Sequence, residues 1–334
     1  MKTVFRSIAL AAAIVAAMAA PSLAQEIKVG LSLPQNAVGF DFVNGMYETF
    51  KSEVEANSDM TVDLVYAGAL GAPNERLNQM RRGTIQMSDA ADGNYATIHK
   101  DILILNMPYL FASEKAAWAV FDGPFGQALG EDIRAKTGIR VLGWWESGGF
   151  KHFSANKAIR ATDDMRSLKV RVLGPLATIP VEALGASAAP VAFSELYTSL
   201  KTGVVDGQDN SVSVFNLVKL YEVQSHLSLT GHTYAFGPLG INDAFFSGLD
   251  EAKQKVLTDA AAKAIAFNRA KSREMEAGAI VFAREHNVDV IELDQDAKAA
   301  FRDIMQPAAI AWLKENVDTP ALIEQAMAAA KSAK

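Results

Sequence analysis

The sequence predicts an α/β fold of two similar lobes, and three observations carry that expectation. Short β-branched runs alternate with amphipathic stretches from Gln25 to about Asn242. A stretch near residue 80 is echoed near residue 200, and a long proline-free helical segment follows. Strands spaced by helices of ordinary length build βαβ units and mostly parallel sheets.

The elements follow in order. Ile27–Leu33 reads as a strand, Phe40–Glu55 as a helix, Thr61–Ala67 as a strand, Asn74–Arg82 as a helix and Ile85–Ala90 as a strand. The rhythm returns with a strand over Lys169–Leu173, a helix over Leu176–Leu184 and a strand over Ala188–Ala192. A helix over Ser194–Thr202 and a strand over Val204–Gln208 complete it. The run from Glu75 to Ile85 resembles Glu195 to Val205 at an offset of 120, and Asp89 and Asp209 match at the same offset. In both copies a helix stops at a glycine (Gly83, Gly203) suited to a left-handed cap, with a strand close behind. Two such lobes would face each other across a cleft, because open α/β sheets bind ligands at the carboxyl ends of their strands.

The stretch from Asp250 to His286 has no proline and one glycine, Gly278. Val256, Ala260, Ala264, Phe267, Met275 and Phe282 keep an approximate helical stripe. At 1.5 Å per residue it spans about 55 Å, enough to run along both lobes as a spine. A break at Gly278 is the alternative, since an interior glycine costs helix stability.

The amino terminus predicts export. Lys2 and Arg6 precede an apolar run from Ile8 to Ala20, and Ser22-Leu23-Ala24 offers small residues to a signal peptidase. That run is shorter than the roughly 20 residues a membrane span needs. We expect residues 1–24 to be a signal peptide, a mature chain from Gln25, and a periplasmic protein. With no cysteine, the chain can form no disulfide and carry no lipidated cysteine. Loss of Lys2 and Arg6 leaves 30 basic against 38 acidic residues, net −8, with no basic run, which argues against a nucleic-acid partner.

Familiar catalytic patterns are missing: no cysteine nucleophile, no G-x-S-x-G elbow, no P-loop and no dinucleotide fingerprint. The histidines at 99, 152, 226, 232 and 286 lack metal-type spacing, so neither metal nor cofactor is expected. A hydrolase built on paired carboxylates stays open as an alternative, because such pairs leave no fixed spacing.

Leu168-Lys-Val-Arg171-Val, Ala183-Leu-Gly-Ala-Ser, Pro190-Val-Ala-Phe193-Ser-Glu-Leu-Tyr197 and Gly203-Val-Val-Asp206-Gly-Gln-Asp-Asn210 form an ordered block. Tyr221 to Thr230 closes it, while Gly68-Ala-Leu-Gly71, Met107 to Phe111 and Phe150 to Ser154 precede it. This order resembles the DctP-type solute-binding proteins of tripartite ATP-independent periplasmic (TRAP) transporters, over essentially the whole mature chain. The resemblance implies a two-lobed periplasmic binding protein fold with mixed sheets, a hinge cleft and a long helix spanning both lobes. It further implies a monomer that captures a small organic acid and delivers it to membrane permease subunits, not an enzyme. Lobe one would be 25–149 plus 236–275, and lobe two 150–235 plus 276–334. A ligand-sensing subunit for a membrane receptor is a second alternative, and the binding protein of an ATP-driven importer a third.

The same resemblance nominates site residues. Arg171 falls where the family keeps an arginine for a ligand carboxylate, and its planar fork suits two parallel charge-assisted bonds. Asn210 matches the asparagine beside that carboxylate, although Ser211 replaces the usual following proline. Lys151 stands where many members have a second arginine, so it keeps charge without the fork. Phe193 is an expected apolar wall by motif position, with Trp145 and Phe215 as further candidates. From lobe one, Ser32, Asn74, Glu75, Asp92 and Asn94 sit near element ends that should face the cleft. Their number points to a hydroxylated acid, such as a sugar acid, or to a small dicarboxylate, with sulfonates and zwitterions of the ectoine kind left open.

Overall fold

In the computed structural model, which describes residues 25–37 and 41–333, one nine-stranded sheet runs through the molecule. Its strands lie in the order 61–65, 26–30, 87–88, 226–242, 139–155, 207–210, 169–172, 187–190, with 289–292 paired to 226–242. Its first half holds β1 (Glu26–Gly30), α1 (Asp41–Asn57), β2 (Thr61–Val65), α2 (Pro73–Arg81), β3 (Met87–Ser88) and α3 (Asp92–Tyr95). Helices α4 (Glu114–Asp122) and α5 (Pro124–Thr137) lead into β4 (Ile139–Ala155). The second half holds β5 (Lys169–Val172), α6 (Pro175–Ala183), β6 (Ser187–Pro190), α7 (Leu196–Lys201), β7 (Gly207–Asn210) and α8 (Val212–Leu217). Strand β8 (His226–Asn242) returns to the first half, followed by α9 (Asp243–Ser247), α10 (Glu251–Glu285), β9 (Asp289–Glu292), α11 (Gln295–Asn316) and α12 (Ala321–Ser332).

The two halves share a topology. β1 pairs in parallel with β2 and β3, and β5 pairs in parallel with β6 and β7. Antiparallel β4 and β8 join them, so the sheet is mixed where the rhythm alone suggested mostly parallel pairing. The sequence echo is reproduced in the bonds of the two caps. Gly83 N–H donates to Met80 O and Thr84 N–H to Gln79 O; 120 residues on, Gly203 N–H donates to Leu200 O and Val204 N–H to Ser199 O. Both glycines are left-handed, at φ 73° and 72°, where a side chain would be strained.

Four apolar cores flank this sheet. Phe42, Phe50 and Leu257 belong to one and Phe121, Phe236 and Ile323 to another, both in the first half. The second half has one core around Val170, Val181 and Phe301 and one around Leu196, Phe215 and Ala283. Helix α10 runs unbroken through Gly278 for 35 residues, about 52 Å. It buries Leu257 and Ala264 in the first half and Ala279 and Ala283 in the second, so it is the spanning helix expected from the sequence. A second spanning helix was not anticipated. α11 buries Phe301 and Met305 in the second half, Ala309 and Leu313 in the first, with Pro307 between the two pairs. No helix among the described residues is long and apolar enough to cross a membrane. The expected signal peptide, residues 1–24, and Phe40, the expected first residue of α1, lie outside the described residues.

Candidate functional site

The carboxyl ends of β5 and β7 set the site. β5 is buried between β6 and β7, so Arg171 enters the protein at only 2% exposure. Its Nε donates to Val191 O at 2.9 Å, and its guanidinium lies 6.0 Å from the Phe193 ring centroid. Its Nη2 is buried and has no protein acceptor. Burial pulls the Arg171 pKa down, and the nearby Asp209 charge opposes that shift. A buried guanidinium with an idle nitrogen is costly unless an anion completes it.

Asp209 is the centre of a small charged group. Lys151 Nζ lies 3.9 Å from its carboxylate and His232 Nε2 3.5 Å away. Burial alone would raise the Asp209 carboxyl, but Lys151, the His232 hydrogen bond and Arg171 outweigh it and hold it well below the usual carboxylate range. His232 is fixed from behind by Thr230 Oγ1, 2.8 Å from Nδ1, and stacks on Phe153 at 4.2 Å between centroids. Next along β7, the Asn210 amide donates to Gln208, which donates in turn to Ser154 Oγ at 2.8 Å. Ser211 takes up the N-cap of α8, its Oγ accepting from Val214 N–H, a bond proline in its place could not offer.

The first half contributes polar groups that are largely bonded to one another. Asp89, at the end of β3, accepts from Arg76 and from both the backbone N–H and hydroxyl of Ser32. Asn94 donates to Asn74 at 2.8 Å, and Asn106 donates to Asp92. Glu75 is exposed and folds over Gly71, where a Cβ would meet its carboxylate.

Between the halves lies a cavity of about 670 Å³. Asn74, Asp92 and Asn94 line it from one side, and Lys151, Asp209 and His232 from the other. Leu173, 60% exposed, adds an apolar patch beside α6, and Trp312 of α11 also lines the cavity. Four of the expected site residues therefore meet here: Lys151, Asn74, Asp92 and Asn94. Arg171 and Asn210 adjoin the wall through their neighbours Val172 and Asp209, and Phe193 covers Arg171. Ser32 and Glu75 lie outside the lining, Ser32 held in the Arg76–Asp89 group. Trp145 and Phe215 do not form walls of this cavity: they pack in apolar cores at 3% and 0% exposure. Asp209 and His232, which line the cavity, were not read as site residues, although the offset shared with Asp89 singled out the Asp209 carboxylate.

Comparison with known proteins decides the family. The model of the bacterial extracellular solute-binding proteins, family 7 (DctP), matches residues 36–315. The chain belongs to family 7. A solute-binding protein of Verminephrobacter eiseniae is 35% identical over 80% of each chain. The 2,3-diketo-L-gulonate-binding periplasmic protein YiaO of Escherichia coli is 30% identical over 87% of this chain and 86% of its own. The sugar acid binding protein DctPAm of Advenella mimigardefordensis, solved with galactonate, superposes at a TM-score of 0.82 with 31% identity, over 93% of this chain and 99% of that one. As a family 7 protein the chain is a two-lobed solute-binding protein, and the cavity lies where its two lobes meet.

One polar cluster away from the cleft has metal-like composition: His99, Asp101 and Asp132. Its cation is already supplied by the protein. Lys136 Nζ lies 2.8 Å from Asp132 and 3.5 Å from Asp101, so the cluster ties α5 to its surroundings.

Proposed function

We propose that this protein captures a small organic acid between its lobes in the periplasm and hands it to the membrane permease subunits of a TRAP transporter. The ligand carboxylate lies against Arg171, with Asn210 beside it and Lys151 contributing a single ammonium contact. The observation that carries this reading is the buried, unpartnered Nη2 of Arg171, which a carboxylate oxygen would satisfy. Lys151 and Asp209 are held as a loose pair at 3.9 Å, so an entering anion can share the lysine without breaking a tight salt bridge. The ligands named for YiaO and DctPAm, both sugar acids, support an acid of that class here. The basic start and apolar run before Ala24 support export. The boundaries expected from the sequence, 25–149 plus 236–275 and 150–235 plus 276–334, put the hinge in β4, β8 and α10. Because Ala309, Leu313 and Ile323 pack in a first-half core, we assign the chain from Ala309 onward to lobe one, which adds α11 to the hinge.

A thermal-shift screen against organic acids tests the reading. An acid at 100 times its dissociation constant should stabilise the protein by about 2.7 kcal/mol. The hit should be recovered unchanged after incubation, whereas turnover would point to a hydrolase. A screen of sugar acids and dicarboxylates in which no acid shifts the melt would sink the proposal.

A further inference from the structure

The strands that form the hinge have a second face. Successive side chains of a strand point to opposite sides, and Lys151 and Phe153 line the cleft cavity while Phe150 and His152 line another, of about 900 Å³. Every element that passes between the lobes contributes to it: β4 and β8 through His152 and Thr230, α10 through Glu276, and α11 through Lys298.

The charges facing this cavity do not all find partners. Glu114 is bonded to Arg273 at 3.0 Å, and Arg302 to Asp303 at 3.0 and 2.8 Å. Glu324 and Lys331 lie exposed on α12. Two remain. Lys298 has no carboxylate within 4.0 Å among the described residues, and Glu276 has no cation within that distance, while its Oε2 is buried without a hydrogen bond. His152 adds a neutral donor. Gly231 N–H donates to its Nδ1 at 2.9 Å, which leaves the ring proton on Nε2. Burial pushes the His152 pKa down to about 3, so the ring stays neutral. Burial also pushes the Glu276 carboxyl up to about 7, with Arg273 opposing and Glu114 reinforcing the shift, as for a carboxyl short of positive charge.

We infer that this rear cavity is a second ligand site, for a zwitterion: a carboxylate for Lys298 and the His152 donor, an ammonium for Glu276, and an apolar spacer against Phe111, Phe150 and Ile280. An anion alone would leave Glu276 unpaired, and a cation alone would leave Lys298 so. A molecule bearing both charges satisfies each through charge-assisted contacts.

Calorimetric titration of the full chain with 4-aminobutyrate, 6-aminohexanoate and 8-aminooctanoate tests this, with hexanoate and hexylamine as single-charge controls. One member of the series should bind saturably and at least about ten-fold tighter than either control. That binding should survive Arg171→Ala, which empties the cleft of its proposed anchor, and should weaken at least about ten-fold in Lys298→Met and in Glu276→Gln. Glu276→Gln is isosteric and carries the test if Lys298→Met fails to fold. The inference is overturned if no member saturates below about 10 mM, if a control binds as tightly, or if Arg171→Ala abolishes binding while the rear substitutions leave it intact.

Discussion

At the scale of single residues, β4 and α10 carry groups, His152 and Glu276, whose protonation should be felt in stability. His152 is neutral in the fold, its pKa lowered from 6.5 to about 3 mainly by burial. The unfolded chain takes up a proton there below about pH 6.5, and the native chain does not, so stability falls as pH drops from 6.5 towards 3. Glu276 acts with the opposite sign. Its pKa is raised from 4.5 to about 7, so its contribution is present at low pH and is lost as pH rises through 7. Thermal melts between about pH 4 and 7.5 separate them: His152→Gln should flatten the loss on the acid side, and Glu276→Gln the loss towards neutrality. Curves that stay parallel to wild type would mean these groups titrate alike in both states. Neither shift was legible from the sequence, because a lone histidine or glutamate carries no mark of burial. Arg171 and Lys151 were picked out by motif position, and Lys151 lines the cavity while Arg171 adjoins it through Val172. Trp145 and Phe215 pack in cores rather than on the cavity, and in sequence an aromatic beside a motif looks alike in either place.

Among the elements, α10 was legible because 35 residues of strong helix formers without proline favour one long helix over the alternative of a break at Gly278. Its one glycine is an avoidable weakness. At Gly278 an added Cβ would meet nothing within 4 Å, the site is exposed, and the helix continues through it. Gly278→Ala should therefore raise stability by about 0.5–1 kcal/mol in urea unfolding; a loss would mean that α10 bends there in solution. Gly83 and Gly203 predict the reverse. Both are left-handed caps, so alanine at either should cost about 1–2 kcal/mol, and by similar amounts if the two lobes are copies of one design. Strands β4 and β8 escaped the sequence reading for a physical reason. β4 is interrupted by register shifts around Gly148 and Gly149, both at positive φ, so its apolar alternation is broken where the chain bends. The cross-lobe role of α11 escaped too, since Pro307 reads as a helix end.

For the whole molecule, the two-lobed plan was visible in the offset of 120 residues, which the hydrogen bonds of the two glycine caps repeat. The cleft was visible only as a consequence of that plan, because Lys151, Asp209 and His232 come from strands far apart in sequence. Two lobes joined by β4, β8, α10 and α11 should close by a hinge motion on the bound acid. Small-angle scattering at saturating ligand should then give a smaller radius of gyration than the free protein, and superimposable curves would remove the hinge from the account.

The central claim is that Arg171 clamps a carboxylate inside that cleft, and calorimetric titration of one acid into wild type, Arg171→Lys and Arg171→Ala tests it most directly. Truncation leaves a buried charge without its partner, a loss of about 3–5 kcal/mol, or a few hundred- to several thousand-fold in affinity. Arg171→Lys restores the charge without the fork and should fall between. With all three proteins melting cooperatively, a graded loss in that order is the predicted result. Binding by Arg171→Ala within about threefold of wild type would contradict it, and would put the anionic end of the ligand elsewhere.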